Sequence, residues 1–299
     1  MEDSQVSRTA LINAYVRGYH AEHDNPKIFN DFLAFRLLTE MERESIEQMF
    51  LAHAPSQLFP DKASALAWLM QIMAGNPICL SRARFTEDSL EDAVKKGVKQ
   101  YVILGAGLDT FALRHLDLLD QLQVFEVDHP ATQAFKRQRI NESGLKQPSN
   151  LEFIPIDFTK DNLLKELKSS SFNPQIPTFY SWLGVTYYLP NNVVFDTLRL
   201  IADFSSKGTI IVFDYLDTEA FIPEKAAPRV QILLRSVKQQ GETMKAGFEP
   251  LTLSSDLSEL GLHLHEDLSP WDIQLRYFMG RTDNYHATEH THMAYTVVK

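Results

Sequence analysis

Apolar positions divide the chain into two textures. Over residues 1–97 they recur at helical intervals: Leu66, Leu69, Met70 and Met73 follow the i, i+3, i+4, i+7 spacing of one buried helix face. Thr86 followed by Glu87 and Asp88 has the form of an N-cap with acids in the first turn, and Gly97 is placed to close that helix. From residue 98 onward the period changes. Short β-rich runs at 101–104, 123–127, 151–156, 178–183 and 209–213 alternate with helix-sized segments, one of them opened by Pro190 and carrying Val193, Val194, Phe195, Leu198, Leu200 and Ile201. This alternation predicts an α/β fold, a parallel sheet with helices on both faces. The runs are apolar on both sides, as central strands covered twice must be. Residues 216–250 interrupt the pattern with a mixed helical insert after the fifth strand, suited to a lid over the carboxyl edge of the sheet or equally to a peripheral helix. Residues 292–298 read as a closing strand. No linker or repeat separates the two textures. Residues 1–97 are therefore expected to be a helical extension or cap fused to an α/β domain of residues 98–299, forming one structural unit.

Composition narrows the function. The chain has 299 residues, 44% hydrophobic and 23% charged, enough for a well-buried core. Lys and Arg number 29 against 39 Asp and Glu, a net charge of −10. That balance argues against nucleic acid as a partner, because polyanion binders concentrate basic residues to neutralise phosphates. The single cysteine, Cys79, rules out an internal disulfide and fits a reducing compartment. The start is acidic and polar, and no run approaches the ~18 apolar residues of a membrane span. The chain reads as soluble and cytoplasmic, with small-molecule or protein partners expected and no membrane partner.

In an open α/β sheet, ligands sit outside the carboxyl ends of the strands, near the point where strand order reverses. The residues directly after each predicted strand are the ones to inspect. After the first come Gly105, Ala106, Gly107, Leu108, Asp109 and Thr110, a turn whose glycines admit tight backbone and close ligand approach. After the second comes Asp128, near the ~20-residue offset at which an acid reaches a ribose diol. After the third come Asp157 and Phe158, a carboxylate able to accept from an adenine amino group and a ring able to pack on its face. Each also has a plain structural reading. The glycines can be simple turn chemistry, Asp128 before His129 and Pro130 can cap the next helix, and Asp157 can be another cap. A dinucleotide fingerprint fits poorly. Its third glycine is Thr110 here, and Asp109 would set a negative charge where a pyrophosphate needs an open helix N-terminus. S-adenosylmethionine carries ribose and adenine but no phosphate, and its sulfonium tolerates acidic surroundings.

The pairing of Gln100-Tyr101-Val102-Ile103-Leu104-Gly105-Ala106-Gly107-Leu108-Asp109-Thr110 with Val124-Phe125-Glu126-Val127-Asp128-His129-Pro130 resembles the leucine carboxyl methyltransferase superfamily. More closely it is similar to the bacterial S-adenosylmethionine-dependent O-methyltransferases associated with polyketide biosynthesis. Ser7-Arg8-Thr9-Ala10, Arg82-Ala83-Arg84-Phe85, Ile156-Asp157-Phe158, Trp182-Leu183-Gly184-Val185-Thr186-Tyr187-Tyr188-Leu189-Pro190 and Val212-Phe213-Asp214-Tyr215 extend the match in order along most of the chain. The resemblance implies a Rossmann-like class I methyltransferase fold with a mostly parallel seven-stranded sheet. It also implies a set of cofactor contacts. Arg82 would pair the methionine carboxylate, and Gly105, Ala106 and Gly107 would pack on the amino-acid part. Asp128 would hold the ribose hydroxyls, and Asp157 with Phe158 the adenine. Arginine suits the first role because its planar fork binds a carboxylate through two bonds. One position departs from the pattern. Where many relatives carry a glutamate, this chain has Leu183, so a carboxylate contact is lost or moved and only packing by Leu183 is left.

The implied reaction is displacement of methyl from sulfonium by a substrate oxygen, carboxylate or hydroxyl, with alignment as the protein's main contribution. No catalytic base is assigned: Tyr187, Tyr188, His115 and Tyr215 lie near strand ends, where packing roles are equally available. Three rivals stand beside it. Leu183 favours a non-catalytic S-adenosylmethionine or nucleoside binder. The glycine turn alone admits a nicotinamide-type oxidoreductase. His286-Ala287-Thr288-Glu289-His290, with His292 nearby, matches the H-x-x-E-H pattern of some zinc proteases, which needs a helix to put both rings on one face. The tail runs into a strand, and no metal is expected there.

Overall fold

The structure, a computed structural model, describes residues 6–55, 58–118, 120–157, 161–239 and 241–299. Seven strands form one sheet: β1 (Gln100–Leu104), β2 (Gln123–Asp128), β3 (Leu151–Pro155), β4 (Thr178–Trp182), β5 (Ile210–Leu216), β6 (Leu262–Leu268) and β7 (Thr291–Val298). Their order is β3-β2-β1-β4-β5-β7-β6. β7 runs antiparallel to both its neighbours and every other pairing is parallel. Strand order reverses between β1 and β4, so the crevice above those two carboxyl ends is the expected ligand position. All six runs read from the sequence are strands. The seventh, β6, mixes His263, His265, Glu266 and Asp267 with its leucines. It is an edge strand with a wet face, which is why hydrophobicity along the chain does not single it out.

Eleven α-helices are described: α1 (Arg8–His23), α2 (Glu40–Leu51), α3 (Lys62–Ile72), α4 (Gly75–Lys95), α5 (Phe111–Arg114), α6 (Pro130–Glu142), α7 (Leu163–Lys168), α8 (Asn191–Phe204), α9 (Pro228–Gln239), α10 (Pro250–Ser258) and α11 (Pro270–Ile273). Alternate strand residues face opposite layers, as a two-residue period requires. Tyr101, Ile103, Phe179, Ile210 and Val212 pack in one core with Tyr15 of α1, Phe50 of α2, Leu69 of α3 and Leu80 and Leu90 of α4. Val102, Leu104, Trp182 and Phe213 pack with Leu167 of α7, Val194, Leu198 and Ile201 of α8, and Leu253 and Leu257 of α10. The N-terminal helices thus share a continuous core with the sheet. No single helix among the described residues is long and apolar enough to cross a membrane.

The N-terminal region differs from the sequence reading in two ways. Non-helical stretches follow α1 and α2, so the first 97 residues are not helical throughout. Thr86 does not begin a helix either: α4 runs unbroken through it, and the residue is 1% exposed. A threonine cap is worth about 1 kcal/mol. Cys79, Leu80, Phe85, Leu90, Ala93 and Val94 of the same helix are all buried, and each large apolar side chain contributes about 1.5–3 kcal/mol. Packing overrides the local signal. Gly97, at φ 101°, does end the helix, donating to the carbonyl of Val94 at 2.9 Å.

After β5 the chain passes through a 3-10 turn (Thr218–Phe221) and α9, then returns across the sheet edge. Lys245 N–H donates to Tyr187 O at 2.7 Å, Phe248 N–H to Leu216 O at 3.0 Å, and Asn191 Nδ2 to Gly247 O at 3.1 Å. A Cβ on Gly247 would lie 2.5 Å from Leu216 O. This segment therefore lies directly on the backbone at the carboxyl ends of β4 and β5.

Candidate functional site

Beyond Leu104 the chain turns through Gly105, whose N–H and that of Ala106 both donate to Val127 O, at 2.8 and 3.1 Å. Gly105 has φ 72°, and a Cβ there would lie 2.6 Å from Val185 Cγ2. Only glycine meets both conditions. The N–H of Gly107 donates to one carboxylate oxygen of Asp128, and that of His129 to the other at 2.6 Å. Asp128 stands opposite Pro155 in the β2–β3 register, and its carbonyl accepts from Ile156 N–H at 2.8 Å. The structure thus brings Gly105, Ala106, Gly107, Asp128 and Asp157 to three adjoining strand ends. With strands ~4.8 Å apart, those ends lie within roughly 10 Å, a distance one nucleoside bridges.

Asp128 as a residue is half-buried. Burial of much of the group pushes its pKa up, against the bonds from Gly107 and His129. Asp128 is not the cap of α6. That place is taken by His129, whose Nδ1 accepts from Ala131 N–H at 3.3 Å, with Pro130 first in the helix. Asp157 does not cap α7, a role filled by Asn162. The Asp157 N–H donates to Asp161 Oδ2 and its carbonyl accepts from Asp161 N–H, both at 2.8 Å. Phe158 lies outside the described residues.

Arg82 arrives from α4, on the N-terminal side of the sheet. Its guanidinium, on a residue 7% exposed, reaches the carboxyl ends of β4 and β5. Nη1 donates to the Tyr187 hydroxyl at 2.7 Å and to Asp214 Oδ2 at 3.1 Å. Burial works against the cation, but Tyr187 and Asp214 more than offset it and Arg82 stays charged. A Cβ on Gly184 would lie 2.6 Å from both terminal nitrogens of Arg82. Gly184 and Val185 are consecutive, so one short loop touches Arg82 on one side and Gly105 on the other. Leu183 occupies the tip of β4, partly buried against the N-terminal side of the core, and offers no acceptor.

Several residues of this region carry no sequence signal of their own. Asp31 accepts from Arg17 Nε at 2.8 Å and Thr110 Oγ1 at 2.5 Å, and pairs with Arg114 at 3.3 Å. Burial alone would raise its carboxyl; Arg17 and Arg114 outweigh that and hold it below the usual range. Arg17 also donates to Leu108 O at 2.7 Å, and a Cβ on Gly107 would come 3.2 Å from Ala10 Cβ. The first helix therefore rests on the glycine turn. Thr9 at its start donates to Glu242 of the insert. Asp214 stands in the sequence within the Val212–Tyr215 motif but with no role of its own, and in the structure it lies inside β5, two residues before its end.

The histidine tail is built differently from a zinc helix. Residues 281–290 form no helix. His286 Nδ1 lies 2.9 Å from Asn284 O, Glu289 pairs with Arg229 at 2.6 Å, and His290 Nδ1 lies 2.9 Å from Asp217 Oδ1. The three groups serve three separate partners.

The comparisons agree with this architecture. Residues 10–202 match the family model described as leucine carboxyl methyltransferase. A Bacillus subtilis protein, YktD, provisionally named an S-adenosyl-L-methionine-dependent methyltransferase, is 38% identical, with both chains covered in full. A Mycobacterium tuberculosis protein of the same provisional name is 31% identical over 62% of this chain and 57% of its own. Among solved structures, a DUF574 family protein from Streptomyces avermitilis superposes with a TM-score of 0.63 at 11% identity, covering 99% of each chain. A protein from Thermobifida fusca, described provisionally as a methyltransferase, gives 0.60 at 14% identity, covering 100% of this chain and 96% of its own. The two structures share the fold; the family match spans the glycine turn, Asp128, Arg82 and the β4 loop together. A chain that carries those elements within one family match, and aligns end to end with such a relative, belongs to the leucine carboxyl methyltransferase family.

Proposed function

We propose that this protein transfers a methyl group from S-adenosylmethionine to an oxygen, carboxylate or hydroxyl, of a small-molecule or polyketide-like acceptor. Methyl transfer from S-adenosylmethionine is supported by the family and by the names of the relatives; oxygen as the target is our reading of the site. The observation that carries it is that the half-buried Asp128, at the end of β2, and the buried Arg82, at the ends of β4 and β5, flank the point where strand order reverses. Asp128 offers acceptors for a ribose diol, and Arg82 a donor fork for an α-carboxylate. Gly105, Ala106 and Gly107 pack on the amino-acid part, Asp157 and Phe158 take the adenine, and Leu183 supplies an apolar wall.

Bound there, the cofactor brings an electrophilic methyl and its own leaving group. The chain has to align the acceptor and keep water out, and alignment alone is worth several kcal/mol, roughly 7–11 in the best cases. The first helix and the 242–248 segment cover the site from two sides. Burial raises the hydroxyl pKa values of Tyr187 and Tyr188 above the usual tyrosine range, so both keep their protons near neutral pH. A carboxylate acceptor is already ionised and needs no base, whereas a hydroxyl does. The site therefore suits a carboxylate better.

The test is calorimetric titration with S-adenosylhomocysteine, followed by transfer of labelled methyl to a panel of carboxylic acids, phenols and amines. Base-labile label marks a methyl ester and base-stable label an ether. Label on an amine would overturn oxygen as the target. Binding without transfer to any acceptor is what the non-catalytic reading requires, the reading that Leu183 favours.

A further inference from the structure

We propose that Tyr187 and Asp214 are positioning residues, holding Arg82 in the one orientation from which its outer edge can take a carboxylate. The inference rests on the reading that Arg82 faces the amino-acid end of the cofactor, and it adds what sets that affinity.

Nη1 of Arg82 carries two protons, and both are used: one goes to the Tyr187 hydroxyl at 2.7 Å and one to Asp214 Oδ2 at 3.1 Å. The Tyr187 hydroxyl in turn donates to the same Asp214 oxygen at 3.3 Å, closing a ring of three groups. Burial drives the tyrosine pKa up, with Arg82 opposing, so the hydroxyl stays neutral and can accept from one partner while donating to the other. Asp214 is itself fixed. Its Oδ1 accepts from Gly184 N–H at 2.6 Å and its carbonyl accepts from Thr186 Oγ1 at 2.6 Å, and the residue is fully buried.

Asp214 therefore has no free face for a ligand and works behind Arg82. With Nη1 committed, Nε–H and one Nη2–H remain as a parallel pair. Neither nitrogen hydrogen-bonds to a described residue. That edge is the one that meets a carboxylate through two bonds at once. Gly184 completes the arrangement, since a Cβ there would press on both terminal nitrogens from 2.6 Å. A long side chain that would otherwise sample many rotamers is thus ordered before a ligand arrives, and preorganisation raises affinity by removing the cost of ordering.

The experiment titrates the full chain with S-adenosylhomocysteine, which has the carboxylate, and with methylthioadenosine, which lacks it. The variants are Tyr187→Phe, which keeps the ring and deletes only the bridging hydroxyl, and Asp214→Asn. Tyr187→Phe should weaken S-adenosylhomocysteine by about tenfold, the worth of one hydrogen bond to a charged group, and leave methylthioadenosine within about twofold. Asp214→Asn should weaken the first ligand further. Undiminished preference for S-adenosylhomocysteine in Tyr187→Phe overturns the positioning role. So does an equal loss for both ligands, which is what a merely structural contact would produce. If wild-type protein already binds the two ligands equally, or binds neither, the reading of Arg82 itself falls, and the positioning role with it. Should Asp214→Asn not fold, Tyr187→Phe decides alone.

Discussion

The two ends of the crevice are built by different means. At the β1–β3 end, the glycine turn is held mainly by main-chain groups: Gly105 and Ala106 donate to Val127, and Gly107 to Asp128 only 21 positions away. At the β4–β5 end, side chains do the holding. Arg82 meets Tyr187 and Asp214 across 105 and 132 positions, and no member of the set explains itself without the others. A backbone cradle tolerates little change in shape but makes few demands on composition. A side-chain ring tolerates small changes in shape but needs every partner's chemistry. The first should fail as a fold and the second as a binding site.

The largest expected effect follows from that contrast. Gly105→Ala combines a positive φ with a clash on Val185, which together should cost about 3 kcal/mol of stability in denaturant titration. Adding Val185→Ala should recover the steric share and leave the conformational one. If Gly105→Ala is as stable as wild type, the cradle is looser than its geometry says.

Next comes the side-chain end. Arg82→Ala should cost about 2 kcal/mol in S-adenosylhomocysteine affinity and little in methylthioadenosine affinity. Equal losses by calorimetry would take the carboxylate role from Arg82. Asp128→Asn keeps an acceptor but loses its charge, and should cost about 1 kcal/mol with both ligands alike. Unchanged affinity would remove Asp128 from the ribose.

The smallest difference is one of pH. Glu126 is buried beneath the β1–β3 end in an ion pair with Lys136, and burial raises its pKa from 4.5 to about 7. Between those two values the folded chain holds a proton that the unfolded chain has released. Stability should therefore fall as pH rises through that window, and Glu126→Gln should flatten the slope. Denaturant midpoints measured across the window would check this; an identical slope in the variant would remove Glu126 as its source.

How much of this was legible in advance depends on how far each signal travels along the chain. Strand runs, the glycine turn and Asp128 are read from neighbours, because strand alternation, positive φ and the strand-end position are local properties. Thr86 shows the limit. Its cap signature is genuine as a local preference, yet α4 buries it in mid-helix because the packing of Phe85, Leu90 and Val94 outweighs one cap. β6 was illegible for the opposite reason, since an edge strand need not be apolar. Leu183 was visible as a departure from the family pattern, and the structure places it just beyond β4, partly buried against the core.

By itself, then, the order of residues determined the α/β alternation, the glycine turn and the acid that follows β2, because each depends on contacts within one strand–helix–strand unit. Tertiary structure alone decided that Asp31 fastens the first helix to Thr110, that the 242–248 segment lies on β5, and that Arg82 is gripped by Tyr187 and Asp214. Those choices rest on pairs far apart in sequence. The free energy of such pairs comes from burial and charge at a place in space, which no local pattern of residues encodes.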